Sequence, residues 1–162
     1  MNKAESIDLS EKTKGGKFLT FILQGEEYGL EILKVREIIG LMNITHVPDT
    51  PEYVKGVINL RGQVIPVIDL RAKFSMDKGN YGDRTCIIVV DVKGLMMGIV
   101  VDTVSEVVHI DDSYIENTPD FGTKMNTDYI LGMGKVGEKV KILLDIGKVL
   151  TTEEFKMAQK IK

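Results

Sequence analysis

The sequence predicts a mainly β protein made of two small antiparallel barrels that are related by an internal duplication. Short stretches of β-branched and aromatic residues alternate with glycine-marked turns, and little of the chain has helical periodicity. The same spacing of residues occurs twice along the 162 residues. Each copy supplies about five short strands, and closing them into a barrel removes exposed strand edges.

Composition and charge narrow the function classes. Hydrophobic residues make up 43% and charged residues 28% of the chain, which is the balance of a globular protein. The formal net charge of -3 does not favour a polyanion such as DNA or RNA. No apolar run approaches the roughly 20 residues of a membrane-spanning helix, and residues 1–6 lack the pattern of a signal peptide. With Cys86 as the single cysteine, we expect a cytoplasmic protein without internal disulfides or membrane insertion.

The hairpin around Arg61 is the most informative stretch. Residues 56–60 and 64–70 are nearly all strand formers, and a cation stands between them. Because Gly62 can take the positive φ of a tight turn, we predict a bend at Arg61-Gly62 that places Arg61 at the hairpin tip. A cation held there can reach a partner. A solvated turn arginine is an equally good interpretation of the pattern alone.

The remaining elements follow from local composition. Strands are predicted over residues 17–24, 28–32, 86–92, 97–101 and 139–146. Residues 33–39 fit neither period and predict a helical turn that feeds a strand. Short helices are expected over residues 51–55, 71–74 and 151–162. In the last of these, Thr151 and Glu154 have the spacing of a capping box.

The duplication sets the expected domain organisation. Gly25, Gly29, Val35 and Glu37 recur with the same spacing as Gly94, Gly98, Val104 and Glu106. Residues 53–56 and 67–70 are echoed by residues 129–132 and 143–146. We therefore expect a loose tail over residues 1–16, one domain over residues 17–150, and a C-terminal helix over residues 151–162. The domain divides into barrels of about residues 17–80 and 81–150, with crossing of strands between them allowed.

Candidate catalytic and metal-binding groups are few. His46 and His109 lack ligand-spaced companions, and Cys86 lies in an apolar strand, where a buried inert thiol is the better interpretation. Asp69 and Asp145 end equivalent strands, and a repeated position suggests a structural role. We expect no enzyme activity, no cofactor and no metal.

Two further motifs receive structural interpretations. Residues 132–137 match G-x-G-x-x-G, but a nucleotide site needs a helix to begin there, and a strand is predicted instead. We assign these glycines to hairpin and bulge positions. Met96 and Met97 are better explained as core residues than as an adaptable binding face.

A family resemblance is carried by residues 25–38, by Tyr-Val-Lys-Gly-Val-Ile-Asn-Leu-Arg-Gly over residues 53–62, and by residues 67–71. With residues 98–102 and 104–107 of the second half, these motifs resemble the chemotaxis adaptor family CheW over about residues 17–150. The resemblance implies two five-stranded, SH3-like barrels. It also implies a non-catalytic adaptor that couples transmembrane chemoreceptors to the histidine kinase CheA in membrane-associated arrays.

The resemblance also implies partner-binding residues. The cytoplasmic hairpin tip of the receptor docks near the groove between the barrels, and the arginine of Asn-Leu-Arg-Gly is a contact. In this chain the expected receptor-binding residues are Val35, Glu37, Asn59, Leu60, Arg61, Val104 and Val107. The regulatory domain of CheA packs barrel against barrel, and the expected kinase-binding residues are Ile87, Met97 and Gly98.

Two other functions compete with this interpretation. A scaffold of the same family in another two-component pathway has the same sequence features. A β-barrel binder of RNA or single strands needs surface aromatic residues among basic ones, whereas aromatic residues make up 6% of this chain.

Overall fold

The computed structural model describes residues 15–79, 81–119 and 128–150. In these residues the chain is mainly β, as the sequence predicts. The strands are β1 (Gly16–Leu23), β2 (Glu26–Glu31), β3 (Val35–Gly40), β4 (Val54–Leu60), β5 (Gln63–Asp69), β6 (Cys86–Val92), β7 (Leu95–Val101), β8 (Thr103–Ile110), β9 (Ile115–Glu116), β10 (Ile130–Val136) and β11 (Lys139–Leu144). The helices are α1 (Leu70–Lys73) and α2 (Ile146–Val149), and 3₁₀ turns span Ile32–Lys34 and Asp112–Tyr114.

The strands form two sheets. The five-stranded sheet has the order β3-β6-β7-β5-β4, and the six-stranded sheet has the order β8-β1-β2-β11-β10-β9. Neighbouring strands are antiparallel except for the parallel pairs β5–β7 and β2–β11. The expectation of five strands per barrel holds for the first sheet, and the second gains the two-residue strand β9.

Hairpins are exchanged between the two copies. The β1–β2 hairpin of the first copy pairs with β8 and β11 of the second, whereas the β6–β7 hairpin of the second copy pairs with β3 and β5 of the first. All five strands of the five-stranded sheet therefore lie within residues 35–101. The sheets do not follow the sequence halves that meet near residue 80.

Equivalent aspartates cap the two helices. The Asp69 carboxylate accepts a hydrogen bond from the backbone N–H of Arg71 at 3.1 Å, and Asp145 accepts one from Gly147 at 3.0 Å. Both are N-caps of the helix that follows their strand. The structural role predicted for these repeated aspartates is confirmed.

Among the described residues, three apolar clusters make up the core. The five-stranded sheet encloses one that includes Ile87 and Val100, and the six-stranded sheet encloses one that includes Phe18 and Leu143. The largest cluster lies between the sheets, and we call it the shared core. It draws Leu19, Phe21, Leu30 and Leu144 from one sheet and Ile88, Val90, Met97 and Ile99 from the other. Since the largest of these clusters lies at this junction, each barrel depends on the other for stability.

Three predicted helical regions differ from the structure or lie outside it. Residues 51–55 form a single turn, closed by the Val54 N–H to Pro51 carbonyl bond at 3.0 Å, because Val54 is already paired with Ile68 in β4. The helix expected over residues 71–74 begins one residue earlier. The predicted strand 139–146 ends at Leu144, and α2 follows it. The predicted C-terminal helix and residues 1–14 of the predicted tail lie outside the described residues.

No helix among the described residues is long and apolar enough to cross a membrane.

Candidate functional site

The β4–β5 turn places Arg61 at the tip of a tight two-residue hairpin. Arg61 and Gly62 both have positive φ, 51° and 87°, as a type I′ turn requires. The side-chain oxygen of Asn59 accepts a hydrogen bond from the Gly62 N–H at 2.8 Å and fixes the turn. The predicted bend at Arg61-Gly62 is confirmed.

Arg61 is ion-paired with Glu37 of β3. The Arg61 Nη1 donates to Glu37 Oε1 at 3.3 Å, and Nη2 donates to the other carboxylate oxygen. Hydrogen bonding to Arg61, followed by its charge, lowers the pKa of Glu37, and the same hydrogen bond raises the pKa of Arg61. The Arg61 side chain is still 70% exposed, against 29% for Glu37. The pair therefore holds the guanidinium in place while leaving much of it open to a partner.

Apolar residues lie between this ion pair and the core of the five-stranded sheet. Leu60, next to Arg61, and Ile39, two residues after Glu37, both pack against the core enclosed by the five-stranded sheet. Leu60 and Ile39 are half-buried. Four expected receptor-binding residues thus come together where the two edge strands of this sheet, β3 and β4, approach each other: Glu37, Asn59, Leu60 and Arg61.

Val35, Val104 and Val107 lie elsewhere. Val35 begins β3 and Val104 lies near the start of β8, and both pack against the shared core. Val107 is 51% exposed on β8, opposite Leu19 of β1. Val35 and Val104 thus both lie at the junction of the two sheets. The family resemblance implies a groove at this junction.

The three expected kinase-binding residues are interior. Ile87 and Met97 have 0% exposed surface, and Gly98 is buried. Ile87 belongs to the core of the five-stranded sheet and Met97 to the shared core. A Cβ atom on Gly98 would lie 2.8 Å from Cγ2 of Ile87. Side chains without exposed surface have none to lose on binding, so these residues build the sheet and do not offer a contact surface.

Sequence reasoning missed an ion pair that joins the two sheets. Arg71 of α1 donates from Nε and Nη2 to the two Asp102 oxygens, at 2.7 and 2.5 Å. Asp102 also accepts from the backbone N–H of Gln24, in the β1–β2 turn, at 2.9 Å. The hydrogen bond from Arg71, with a smaller contribution from Gln24, lowers the pKa of Asp102. Both residues lie in the motifs that carry the family resemblance, but their pairing is visible only in three dimensions.

Exposed apolar residues before, along and after β3 were also missed. Leu33 is 88% exposed, and Ile38, Leu41 and Met42 are exposed as well. The alternation of β3 turns Glu37 and Ile39 toward the barrel and Ile38 outward. Exposed apolar residues beside a charged pair are typical of a protein-binding surface.

The described residues contain no group of His, Cys, Asp or Glu that could hold a metal ion.

The glycine motif of residues 132–137 lies on β10 and on the turn that follows it, and β11 comes next. The helix that a nucleotide site needs is therefore not formed. Gly132 sits at a register shift and Gly137 has a φ of 63°, which confirms the hairpin and bulge assignment. The arrangement around Arg61 supports binding through a charged and apolar surface.

Comparison with known proteins shows the family. Residues 17–154 match the family model of the CheW-like domain. The chemotaxis protein CheW of Klebsiella aerogenes is 42% identical over 153 residues, covering 94% of this chain and 92% of that protein. The chemotaxis protein CheW of Rhizobium meliloti is 34% identical over 147 residues, covering 90% and 95%. The crystal structure of the scaffolding protein TtCheW from Thermoanaerobacter tengcongensis superposes with a TM-score of 0.79 at 36% identity, covering 86% of this chain and 95% of that one. The two-sheet fold, the internal duplication and these matches together show that the chain belongs to the CheW-like family.

Proposed function

We propose that this chain is a non-catalytic adaptor that couples transmembrane chemoreceptors to the histidine kinase CheA. Its relatives are named chemotaxis proteins, and one solved relative is described as a scaffolding protein. The observation that carries the proposal is the exposed Arg61 guanidinium, held at a rigid turn by Glu37 above a half-buried apolar surface. An arginine that loses its water among apolar contacts when a partner binds is a common arrangement of a binding hot spot.

The proposed receptor site centres on Arg61 and Glu37. Asn59 shapes the turn and Leu60 supplies apolar area, so their contribution is to hold and surround the guanidinium. Val35, Val104 and the exposed Val107 extend the proposed site toward the junction of the sheets. The cytoplasmic hairpin tip of a receptor is the proposed occupant.

The proposed kinase contact is made barrel against barrel with the regulatory domain of CheA. Ile87, Met97 and Gly98 are interior, so they would support the sheet that makes this contact without lying on its surface. The chain would act in the cytoplasm and be recruited to membrane-associated receptor arrays through its partners.

The proposed mechanism is thermodynamic linkage. A receptor state changes kinase activity through an adaptor only if the two receptor states differ in their interaction free energy with the whole assembly. The adaptor supplies contacts to both partners and makes or breaks no covalent bond.

Reconstitution with a CheA and a soluble receptor fragment tests the proposal. We expect the rate of CheA autophosphorylation in the mixture to depend on the presence of this chain, and to respond less to an Arg61→Glu variant. Arg36→Glu is a matched control, because Arg36 is an exposed arginine in an ion pair with Asp91 on the same sheet. Equal rates with and without the chain would contradict the proposal.

A further inference from the structure

The two places where the chain crosses between the sheets differ in chemistry. The chain leaves the six-stranded sheet at Ile32–Lys34, after β2, and returns to it at Asp102, before β8. The duplication relates Leu33 of the first crossing to Asp102 of the second. Asp102 is ion-paired with Arg71 of α1. Leu33 is 88% exposed, the largest exposed fraction of any large apolar side chain among the described residues.

The parallel strand pairs place one short helix beside each crossing. Just beyond the β5–β7 ladder, Arg71 of α1 meets Asp102. The β2–β11 ladder is the equivalent one, and its register, continued past Leu144, brings Gly147 of α2 level with Leu33. The helix beside Leu33 therefore has a glycine where the helix beside Asp102 has its arginine.

The chain that follows α1 folds back over Arg71. Nη1 of Arg71 donates to the Asp77 carbonyl at 3.0 Å, and a Cβ atom on Gly79 would lie 2.7 Å from Nε of Arg71. The spacing that relates α1 to α2 relates Gly79 to Phe155. The second copy thus has a glycine in place of the arginine and a phenylalanine in place of the glycine. An aromatic ring from the chain after α2 can take the space that the Arg71 side chain fills beside α1.

The residues after α2 have the sequence of an apolar partner for Leu33. Leu150, 1% exposed in the shared core, fixes where this segment begins. Thr151 and Glu154 have the spacing of a capping box, in which the residue before the cap packs against the fourth residue of the helix. Those two positions are Leu150 and Phe155. One face of such a helix carries three apolar residues: Phe155, Ala158 and Ile161.

We propose that Leu33 and α2 form a docking surface for the C-terminal segment of this chain, residues 152–161, with the Phe155 ring covering Leu33. Contact with the ring removes the exposed apolar surface of Leu33 from water. Because the segment is joined to Leu150, docking is intramolecular and needs little intrinsic affinity. One crossing is then held by a charged pair and the other by an apolar contact. The inference goes beyond the proposed receptor site and does not depend on it.

NMR of the full chain tests the proposed contact. We expect NOEs between the Leu33 methyl groups and the Phe155 ring, and an upfield shift of the Leu33 methyl signals caused by that ring. Phe155→Ala should return these signals to the positions of an exposed leucine. Lys156→Ala, on the opposite face of the predicted helix, is the matched control and should leave them unchanged. Absence of the NOEs would overturn the proposal. NOEs found only between differently labelled copies in a mixed sample would also overturn it, since the occupant would then be a second copy.

Leu33→Asp tests the same contact from the docking surface. We expect the backbone amides of residues 152–161 to have order parameters near 0.85 in the natural chain, on the scale where rigid backbone is about 0.85, and below about 0.6 in the variant. A carboxylate at residue 33 opposes burial under the ring. Leu41→Asp places the same charge at another exposed apolar residue and should leave the order parameters unchanged. Low order parameters in the natural chain, or equal values in the natural chain and Leu33→Asp, would overturn the proposal.

Discussion

The guanidinium of Arg61 is ion-paired with the carboxylate of Glu37, and the two residues belong to opposite edges of the five-stranded sheet. Arg61 follows β4 and Glu37 lies on β3, which are the first and last strands in the sheet order. An isolated bridge between Thr45 and Val57 is the backbone link near these edges. Exposed ion pairs contribute little to stability because water and salt screen them. The main effect of this pair is therefore to orient Arg61, and its loss should alter binding much more than folding.

Arg71→Met should lower the free energy of unfolding by about 1–3 kcal/mol at pH 7, because it leaves the partly buried Asp102 without its main partner. The pKa of Asp102 is lower in the folded protein than its ordinary value of 3.8. The stabilisation is therefore complete above that value and disappears as the pH falls through the folded-state pKa. Urea unfolding at pH 7 and near pH 3 measures this.

Arg36→Met is the matched control for that measurement, since Arg36 forms an exposed pair with Asp91. We expect it to cost well under 1 kcal/mol at either pH. A deficit for Arg71→Met that is equally large at both pH values would show that Arg71 stabilises through packing and not through Asp102.

The buried pair of Lys141 and Glu27 should be replaceable by apolar residues. Its Nζ–Oε1 distance is 2.5 Å. The equivalent positions of the other barrel are Ile65, which is buried in its core, and Met96, which packs against that core. Glu27→Met alone leaves a buried ammonium and should cost about 3 kcal/mol or more, whereas Glu27→Met/Lys141→Ile should be as stable as the natural chain or more so. Equilibrium urea unfolding of both variants decides, and a double variant no more stable than the single one would refute the idea.

Met97→Ala should destabilise the fold without changing a kinase-binding surface. Truncating a fully buried methionine in the shared core should cost about 2–5 kcal/mol. Met42→Ala, at an exposed methionine, is the control and should change stability little. The measurements are thermal unfolding and kinase binding at a temperature where both variants are folded. A folded Met97→Ala variant with much weaker kinase binding would return Met97 to the contact surface.

The sequence was informative where local chemistry decides the structure. Gly62 after a strand-forming run predicts the tight turn at Arg61, and the repeated Asp69 and Asp145 predict equivalent structural roles. The turn at residues 51–55 was misread because proline at a first helical position is a weaker effect than the burial of Val54 in β4.

Long-range pairing limited the rest of the prediction. The exchange of hairpins between copies depends on which strands pair, and two similar copies have edges of similar pattern, so the sequence does not choose between pairing within and between copies. From the sequence, Ile87 and Met97 could belong to strands that are buried on one face or on both faces. In the structure both faces of β6 and β7 are buried, one against the barrel core and the other against the shared core.

The most direct test of the proposed function is a charge swap at Arg61 and Glu37, read out as affinity for a soluble receptor-tip fragment. Arg61→Glu should keep the fold and weaken binding by about thirtyfold, or about 2 kcal/mol. In Glu37→Arg/Arg61→Glu the ion pair is restored with the charges exchanged. We predict that the swapped variant stays as stable as the natural chain and still binds weakly, because the partner contacts the arginine at the turn. Natural affinity in the swapped variant, or in Arg61→Glu itself, would contradict the account.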